Sequence, residues 1–212
     1  MDGQSQEWAK LPVSQEQYQT ELAELQREHF PTAKPLPGVV DLLDRLARTP
    51  THLALASSSN LASFKLKTTH LAWLFDVFPP ARRVLGNDER LEIGRGKPLP
   101  DIFQLALQTI NASLPKGERP IRPVECLVFE DSVAGVEAGR RAGMRVVWCP
   151  HPKIREVWAG READVLAGRT GQAGDNVEPE QLGHHEDGWA EDMSSLEAFP
   201  LARYGIFEGG SQ

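Results

Sequence analysis

The stretch that decides the fold is VECLVFEDSVAGVEAGRRAGM, residues 124–144 of a 212-residue chain. An apolar run, residues 124–129, predicts a buried strand, and two acids, Glu130 and Asp131, follow it with no spacer. The small residues after them predict a helix that lies close to the strand. Two carboxylates at a strand tip can hold Mg²⁺, but Asp131 or Ser132 could equally cap the helix.

Working outward, apolar runs of strand length alternate with segments of helical periodicity. The predicted helices are 14–30, 38–48, 61–71, one that follows the loop around residue 97, and one after residue 131. The predicted strands are 52–57, 83–86, 124–129, 144–149 and a short candidate at 163–167. This alternation is typical of an α/β protein with a parallel sheet covered on both faces. In such folds the chemistry gathers where the carboxyl ends of strands enter the following loops.

Two further loops, like the Glu130-Asp131 turn, carry polar or charged residues that could take part in chemistry. Ser57-Ser58-Ser59 end a predicted strand and could offer hydroxyls and amides to a phosphate, or could simply cap the helix that begins near Leu61. Lys97 lies between Gly96 and Pro98, and a constrained lysine near acids suits charge neutralisation of a phosphoryl group. The alternative is an ordinary solvated lysine. We predict that the three loops form the walls of one site.

Composition narrows the classes of function. Hydrophobic residues make up 40% and charged residues 25% of the chain, as in ordinary globular proteins. The sequence predicts no membrane span, because no apolar run approaches about 20 residues, and no nucleic-acid partner, because no basic stripe exists. Two cysteines without metal-ligand spacing and the absence of a secretion-signal pattern predict a cytoplasmic protein. No G-x-G-x-x-G follows a first strand, which argues against a plain nucleotide-binding domain.

Charge is unevenly distributed along the chain. The net charge of −7 arises from residues 171–194, which hold seven acids and no Lys or Arg. We therefore expect a polar, solvated and flexible loop there.

In order and spacing, three segments resemble the second, third and fourth motifs of the haloacid dehalogenase (HAD) superfamily of phosphatases and phosphomutases. These are LALASSSN (53–60), GKPLPDIF (96–103) and LVFEDSVAGVEAGRRAGM (127–144). Residues 11–38 and 62–70 are most similar to the pseudouridine-5′-phosphatase-like branch, which carries a small helical cap. The resemblance covers roughly residues 9–168.

The resemblance implies a HAD-like Rossmannoid three-layer core with a parallel sheet, in four parts. They are a remnant of the helical cap (1–34), the core (35–170), the acidic segment (171–194) and a C-terminal tail (195–212). It also implies a small phosphorylated metabolite as substrate and Mg²⁺ as cofactor, while the particular substrate and the oligomeric state stay open.

Site roles carried over from the family fall on five residues. The catalytic residues would be Ser57 and Lys97: Ser57 would donate its hydroxyl to the transferring phosphoryl group, with the Ser58 amide beside it, and Lys97 would pair with the phosphate and the nucleophile. Asp131 would ligate Mg²⁺, with Glu130 supporting the metal or its waters.

A sixth residue carried over from the family, Asp101, would act structurally near Lys97, through helix capping.

The family's first motif, an apolar strand ending in D-x-D-G-T, has no counterpart in this sequence. "MDG" at residues 1–3 matches it only superficially, because the nucleophile would precede Met1 if Asp2 were the acid/base. The chain is therefore expected to begin within the cap, without the nucleophile and without the strand that lies centrally between 52–57 and 124–129. We expect it to be inactive as a phosphatase. The alternative is a non-catalytic pseudophosphatase that binds phosphate, metal or a partner.

Overall fold

The structure is a computed structural model that describes residues 13–172, 174 and 182–207. The helices in this part of the chain are α1 Gln15–His29, α2 Val39–Ala47, α3 Leu61–Thr68, α4 Ala72–Phe75, α5 Asp101–Asn111, α6 Val133–Arg141, α7 Pro152–Val157 and α8 Glu162–Ala167. The strands are β1 Leu55–Ser57, β2 Arg83–Leu85, β3 Leu127–Glu130, β4 Arg145–Trp148 and β5 Ala190–Asp192. None of the helices described is long and apolar enough to cross a membrane.

The strands form two parallel sheets, which confirms the predicted α/β class. β1 pairs with β2, and a second sheet has the order β3-β4-β5. β1 and β3 are not paired with each other, and the described residues form no strand between them. The sheet system is therefore split at the place where the sequence predicted a missing central strand.

Both faces of the larger sheet are covered, as parallel sheets require. Along β4, Val146 and Trp148 belong to the core beneath α5 and α6, whereas Val147 packs on the opposite face. Leu42 of α2 and Phe199 from the C-terminal region complete that second core. All three β4 residues are fully buried, so the described fold has the expected three layers.

One predicted strand was wrong, and two others begin three residues later than predicted. The strand predicted at 52–57 begins only at Leu55. Residues 163–167 lie in helix α8, where Val165 and Ala167 are buried, because a short apolar run does not distinguish a strand from a buried helix. The strand predicted at 124–129 begins only at Leu127. Residues 123–125 form a 3₁₀ turn that starts at Pro123, and the Glu125 carboxylate accepts a hydrogen bond from the Arg122 amide.

The acidic segment also differs from the prediction in part. Residues 190–192 form the edge strand β5, in which Ala190 is buried and lies opposite Val146 of β4. Asp187 pairs with Arg140 of α6, so part of the segment is fixed to the core by residues that are distant in sequence. Residues 173 and 175–181 lie outside the described part of the chain.

Candidate functional site

Lys97 connects the carboxyl ends of the two sheets. Its Nζ donates to the Ala56 carbonyl of β1 at 3.1 Å and also to Glu130 Oε1 at the end of β3. The two side chains are only 7% and 5% exposed, and the ammonium lies 4.8 Å from the centre of the Phe103 ring. The solvated-lysine alternative is therefore wrong, and Lys97 lies where β1 and β3 end.

Glu130 is held on both carboxylate oxygens. Oε1 accepts from Lys97, and Oε2 accepts from the Ser132 hydroxyl at 3.0 Å. Ser132 in turn caps α6 by accepting from the Gly135 amide at 3.1 Å, so Ser132 and not Asp131 is the N-cap. A Cβ on Gly135 would lie 1.9 Å from Glu130 Oε2, which explains why glycine occupies the first turn of α6.

Asp131 supplies the carboxylate of this turn that faces solvent, because its side chain is exposed. The described residues contain no group of three His, Cys, Asp or Glu that could hold a metal ion. Mg²⁺ is commonly bound by one or two carboxylates together with substrate phosphate and water. Asp131 could therefore serve as one ligand of such an ion, while the oxygens of Glu130 are engaged by Lys97 and Ser132.

The serine loop after β1 is not used to cap the next helix. Asn60 caps α3 by accepting from the Ser63 amide at 2.9 Å, so the capping interpretation of the serines is wrong. Ser57 Oγ accepts from the Ser59 amide at 3.2 Å, which turns the loop tightly. The exposed Ser58 and half-buried Ser57 thus lie at the end of β1, adjacent to the carbonyl that Lys97 contacts.

A second lysine, Lys67 of α3, also contacts the serine loop and was not predicted. Its Nζ donates to Ser59 Oγ at 3.0 Å and lies 4.4 Å from the centre of the Phe30 ring. It therefore connects the segment after α1 with the loop. No sequence signal distinguished Lys67 from its exposed neighbour Lys65.

A buried ion pair between Glu137 and Arg141 contacts the loop that carries Lys97. Arg141 Nη2 donates to Glu137 Oε2 at 2.8 Å, and Arg141 Nη1 donates to the Pro98 carbonyl at 2.7 Å. Glu137 Oε1 also accepts from the Thr170 amide at 2.8 Å. The i, i+4 spacing of opposite charges on a predicted helix indicates such a pair, but not its contact with the loop.

Asp101 has a different role from the one expected. Its carboxylate accepts two hydrogen bonds from Arg95, at 2.5 and 3.0 Å, and makes no capping bond to α5. The expectation of helix capping was therefore wrong. Asp101 instead braces the loop that carries Lys97, since Arg95 lies two residues before that lysine.

Comparison with known protein families identifies the class to which a chain with this fold and this strand-end site belongs. Residues 4–143 match the family described as "Hydrolase: haloacid dehalogenase-like hydrolase". Because the match covers well over half of the chain, the chain belongs to the haloacid dehalogenase-like hydrolase family, which confirms the resemblance seen in the motifs.

Particular relatives point to one branch of that family. A probable pseudouridine-5′-phosphatase of Saccharomyces cerevisiae is 36% identical over 197 residues, which cover 93% of this chain and 72% of that protein. A probable pseudouridine-5′-phosphatase of Drosophila melanogaster is 33% identical, over 82% of this chain and 69% of that protein. These similarities support the pseudouridine phosphatase branch.

A solved structure supports the fold. The haloacid dehalogenase-like protein of unknown function from Agrobacterium tumefaciens matches with a TM-score of 0.60 and 21% identity. The match covers 95% of this chain and 74% of that one.

Proposed function

We propose that this chain represents a phosphatase lineage acting on a small phosphorylated metabolite, and that the loops around Lys97 form its phosphate site. The observation that carries this proposal is the position of Lys97 Nζ between the Ala56 carbonyl and Glu130. The ends of two parallel strands therefore meet at one cation, where a phosphate would find hydroxyl, amide and ammonium donors.

Each residue has a chemical task that its position allows. Ser57 would donate its hydroxyl to a phosphate oxygen, and the exposed loop would present the Ser58 amide beside it. Lys97 would neutralise phosphate charge while Glu130 holds the ammonium in place. The hydrogen bond from Arg141 to the Pro98 carbonyl would hold the loop that carries Lys97 in place, so that Arg141 acts as a positioning residue.

Mg²⁺ is part of the proposal, with Asp131 as its ligand from this chain. When bound, the ion would offset phosphate charge and orient the phosphate oxygens. The remaining ligands would come from phosphate and water, as this cation allows.

The 212 residues by themselves are proposed to lack turnover. An aspartyl-phosphate route needs a free carboxylate facing phosphorus. In the described part of the site, Glu130 is committed to Lys97 and Ser132, and Asp131 is assigned to the metal.

A non-catalytic protein that binds phosphate is the second candidate, and the engagement of both Glu130 oxygens favours it. Such a protein would need the cation and the serine loop but no nucleophile. The two candidates make the same binding prediction and differ only in what a longer chain that supplies the nucleophile would do.

We further propose the reducing cytoplasm as its location. Cys126 and Cys149 are both free, which suits such a compartment.

Binding of inorganic phosphate tests the site directly. Calorimetric titration with phosphate in the presence of Mg²⁺ should show binding to the purified chain that Ser57→Ala weakens. Ser194→Ala, an exposed serine remote in sequence from the loop, is the matched control and should leave binding unchanged. Absence of any phosphate binding to the folded chain would contradict both candidates.

Turnover is measured separately, with pseudouridine 5′-phosphate and p-nitrophenyl phosphate in Mg²⁺ buffer. We expect no release of phosphate above the buffer rate. Turnover that Lys97→Ala abolishes and Lys116→Ala preserves would instead show an active phosphatase, and would overturn the proposed lack of turnover while keeping the site.

A further inference from the structure

Helix α6 carries two adjacent arginines that contact different parts of the chain. Arg140 pairs with Asp187 in the acidic segment, and its side chain is only 5% exposed. Arg141 instead donates to the Pro98 carbonyl at 2.7 Å, next to Lys97 in the loop. The helix therefore contacts both the acidic segment and the loop that carries Lys97.

Glu137, one turn before Arg141 on the same helix, connects that arginine to the chain after α8. Its side chain is fully buried. Oε2 accepts from Arg141 Nη2 at 2.8 Å, and Oε1 accepts from the Thr170 amide at 2.8 Å and also from the Thr170 hydroxyl. A continuous series of hydrogen bonds therefore runs from Thr170 through Glu137 and Arg141 to Pro98, the residue that follows Lys97.

Stability alone does not account for the burial of this ion pair. Two charges lose their hydration when they are buried, and a buried ion pair is often no more stabilising than well-packed apolar side chains. Other buried positions of α6, such as Val133 and Val136, are apolar and already supply a packing face. What the pair of Glu137 and Arg141 adds is direction, because its hydrogen bonds have good geometry only at one position of the Pro98 carbonyl.

The loop that carries Lys97 needs such an anchor on its buried side. It contains Gly94 and Gly96, and a Cβ at either position would meet nothing within 4 Å, so close packing does not fix the loop there. Arg95 holds the loop through an ion pair, but its side chain is 43% exposed. Arg141 supplies the buried contact, and it does so at the residue directly after Lys97.

We propose that Glu137 and Thr170 are positioning residues of the phosphate site, which act on Lys97 through Arg141 and the Pro98 carbonyl. The inference rests on the proposed function, because it takes Lys97 as the group that receives phosphate. It adds that the chain after α8 belongs to the site, although the side chain of Thr170 bonds Glu137 and not the ligand. The affinity for phosphate therefore depends on how that part of the chain is attached to α6.

Substitutions of Thr170 test the inference on the full chain by calorimetric titration with inorganic phosphate and Mg²⁺. Thr170→Val removes the hydroxyl donor and keeps the shape, and should weaken phosphate binding about threefold to tenfold, since the amide at position 170 still bonds Glu137. Thr170→Ser restores the hydroxyl and should bind phosphate like the unchanged chain. Thr20→Val is the matched control, because it removes a hydroxyl that bonds only within the exposed helix α1.

A double variant separates positioning from stability. Glu137→Met combined with Arg141→Met replaces the ion pair by apolar side chains of similar length. The urea midpoint of unfolding should stay close to that of the unchanged chain, whereas phosphate binding should weaken about tenfold or more. A merely structural role would give the reverse, a lower midpoint with unchanged phosphate affinity.

Amide hydrogen exchange reports the order of the loop without any ligand. The Leu99 amide donates to the Gly96 carbonyl at 3.0 Å, so its exchange slows while the loop holds this turn. Mass spectrometry should show faster exchange in residues 95–99 for Thr170→Val than for the unchanged chain. Thr20→Val should exchange in this loop like the unchanged chain.

Two results would overturn the inference. One is unchanged phosphate affinity together with unchanged loop exchange in Thr170→Val, and the other is an equal loss in Thr170→Ser and Thr170→Val, since the hydroxyl would then not be the connecting group. If the unchanged chain binds no phosphate, the proposed function fails, and the exchange of residues 95–99 decides by itself whether Thr170 positions the loop. Misfolding of the double variant does not affect the comparison of the two Thr170 variants.

Discussion

Lys97 and Glu130 form a buried ion pair that ties together the carboxyl ends of two sheets that are not otherwise paired. The lysine belongs to a loop, and the carboxylate belongs to the last residue of β3. Through the Ala56 carbonyl the same ammonium also reaches β1. The Lys97 side chain therefore connects the two sheets at their carboxyl ends, where no backbone pairing joins β1 to β3.

Removing the lysine should leave Glu130 buried without its partner. For Lys97→Ala we expect a loss of about 3–5 kcal/mol in the free energy of unfolding, because an uncompensated buried charge is costly. Urea denaturation followed by circular dichroism measures the change. The exposed Lys116→Ala is the control, with an expected change within about 0.5 kcal/mol.

A double variant separates the pair from the individual residues. Lys97→Met combined with Glu130→Gln removes both charges and should recover part of the stability lost in Lys97→Met alone. If the single and double variants lose stability additively, the two side chains do not interact as described.

Gly135→Ala should destabilise the protein although alanine is the better helix former. In an open helix the substitution would gain about 1 kcal/mol, but here the new Cβ would lie 1.9 Å from Glu130 Oε2. We expect a net loss of about 1–3 kcal/mol in unfolding free energy, as in overpacked sites. Gly96→Ala is the comparison, since a Cβ there meets nothing within 4 Å. Equal stability of the two variants would show that Glu130 does not press against α6.

The sequence predicted best where the information is local. The strand–acid–helix order of residues 124–144 follows from an apolar run and a small-residue helix, and both elements exist. The glycines that let α6 approach the sheet were also identified, since Gly139 lies so close that a Cβ would come within 2.7 Å of Val146. Three loops at strand ends were predicted to converge, and Lys97 brings two of them together.

The sequence failed where a partner is distant along the chain. β5 was hidden in an acidic segment because its pairing with Val146 and the Asp187 bond to Arg140 depend on residues over 40 positions away. Likewise, the contact of Arg141 with Pro98 depends on how α6 lies against the lysine loop. We interpreted the acidic segment as solvated. In the folded chain, arginines from other elements pair with some of its acids, as Arg140 does with Asp187 and Arg155 with Asp192.

Asp187 provides a pH test of that packing. Burial raises the pKa of its carboxyl, but hydrogen bonds from Arg140 and from the Trp189 and His184 amides outweigh burial and lower the pKa from 3.8 to about 2. A lowered pKa stabilises the folded chain above the ordinary value, and this contribution is lost as the pH falls from about 4 to about 2.

Asp187→Asn should therefore cost about 1–2 kcal/mol of unfolding free energy at pH 7 and progressively less below pH 4. Urea denaturation of both proteins at pH 7 and pH 3 gives the difference. Asp44→Asn, which removes an exposed pair with Arg48, should cost less than about 1 kcal/mol. A penalty for Asp187→Asn that is unchanged at pH 3 would rule out the lowered pKa.

Cys126 should be an unreactive thiol although it is only half-buried. Burial, together with a smaller effect of the nearby Glu125 carboxylate, raises the pKa of its thiol from 9.0 to about 11. Since the thiolate is the reactive form, its fraction near pH 8 is about 100-fold lower than for an unshifted thiol. Alkylation by iodoacetamide, followed by mass spectrometry of the Cys126 peptide, should be slow at pH 8 and rise through about pH 11. The urea-unfolded chain is the control, and its rate should reach half of its maximum near pH 9. The same midpoint in the folded chain would show that Cys126 is not packed against the apolar core.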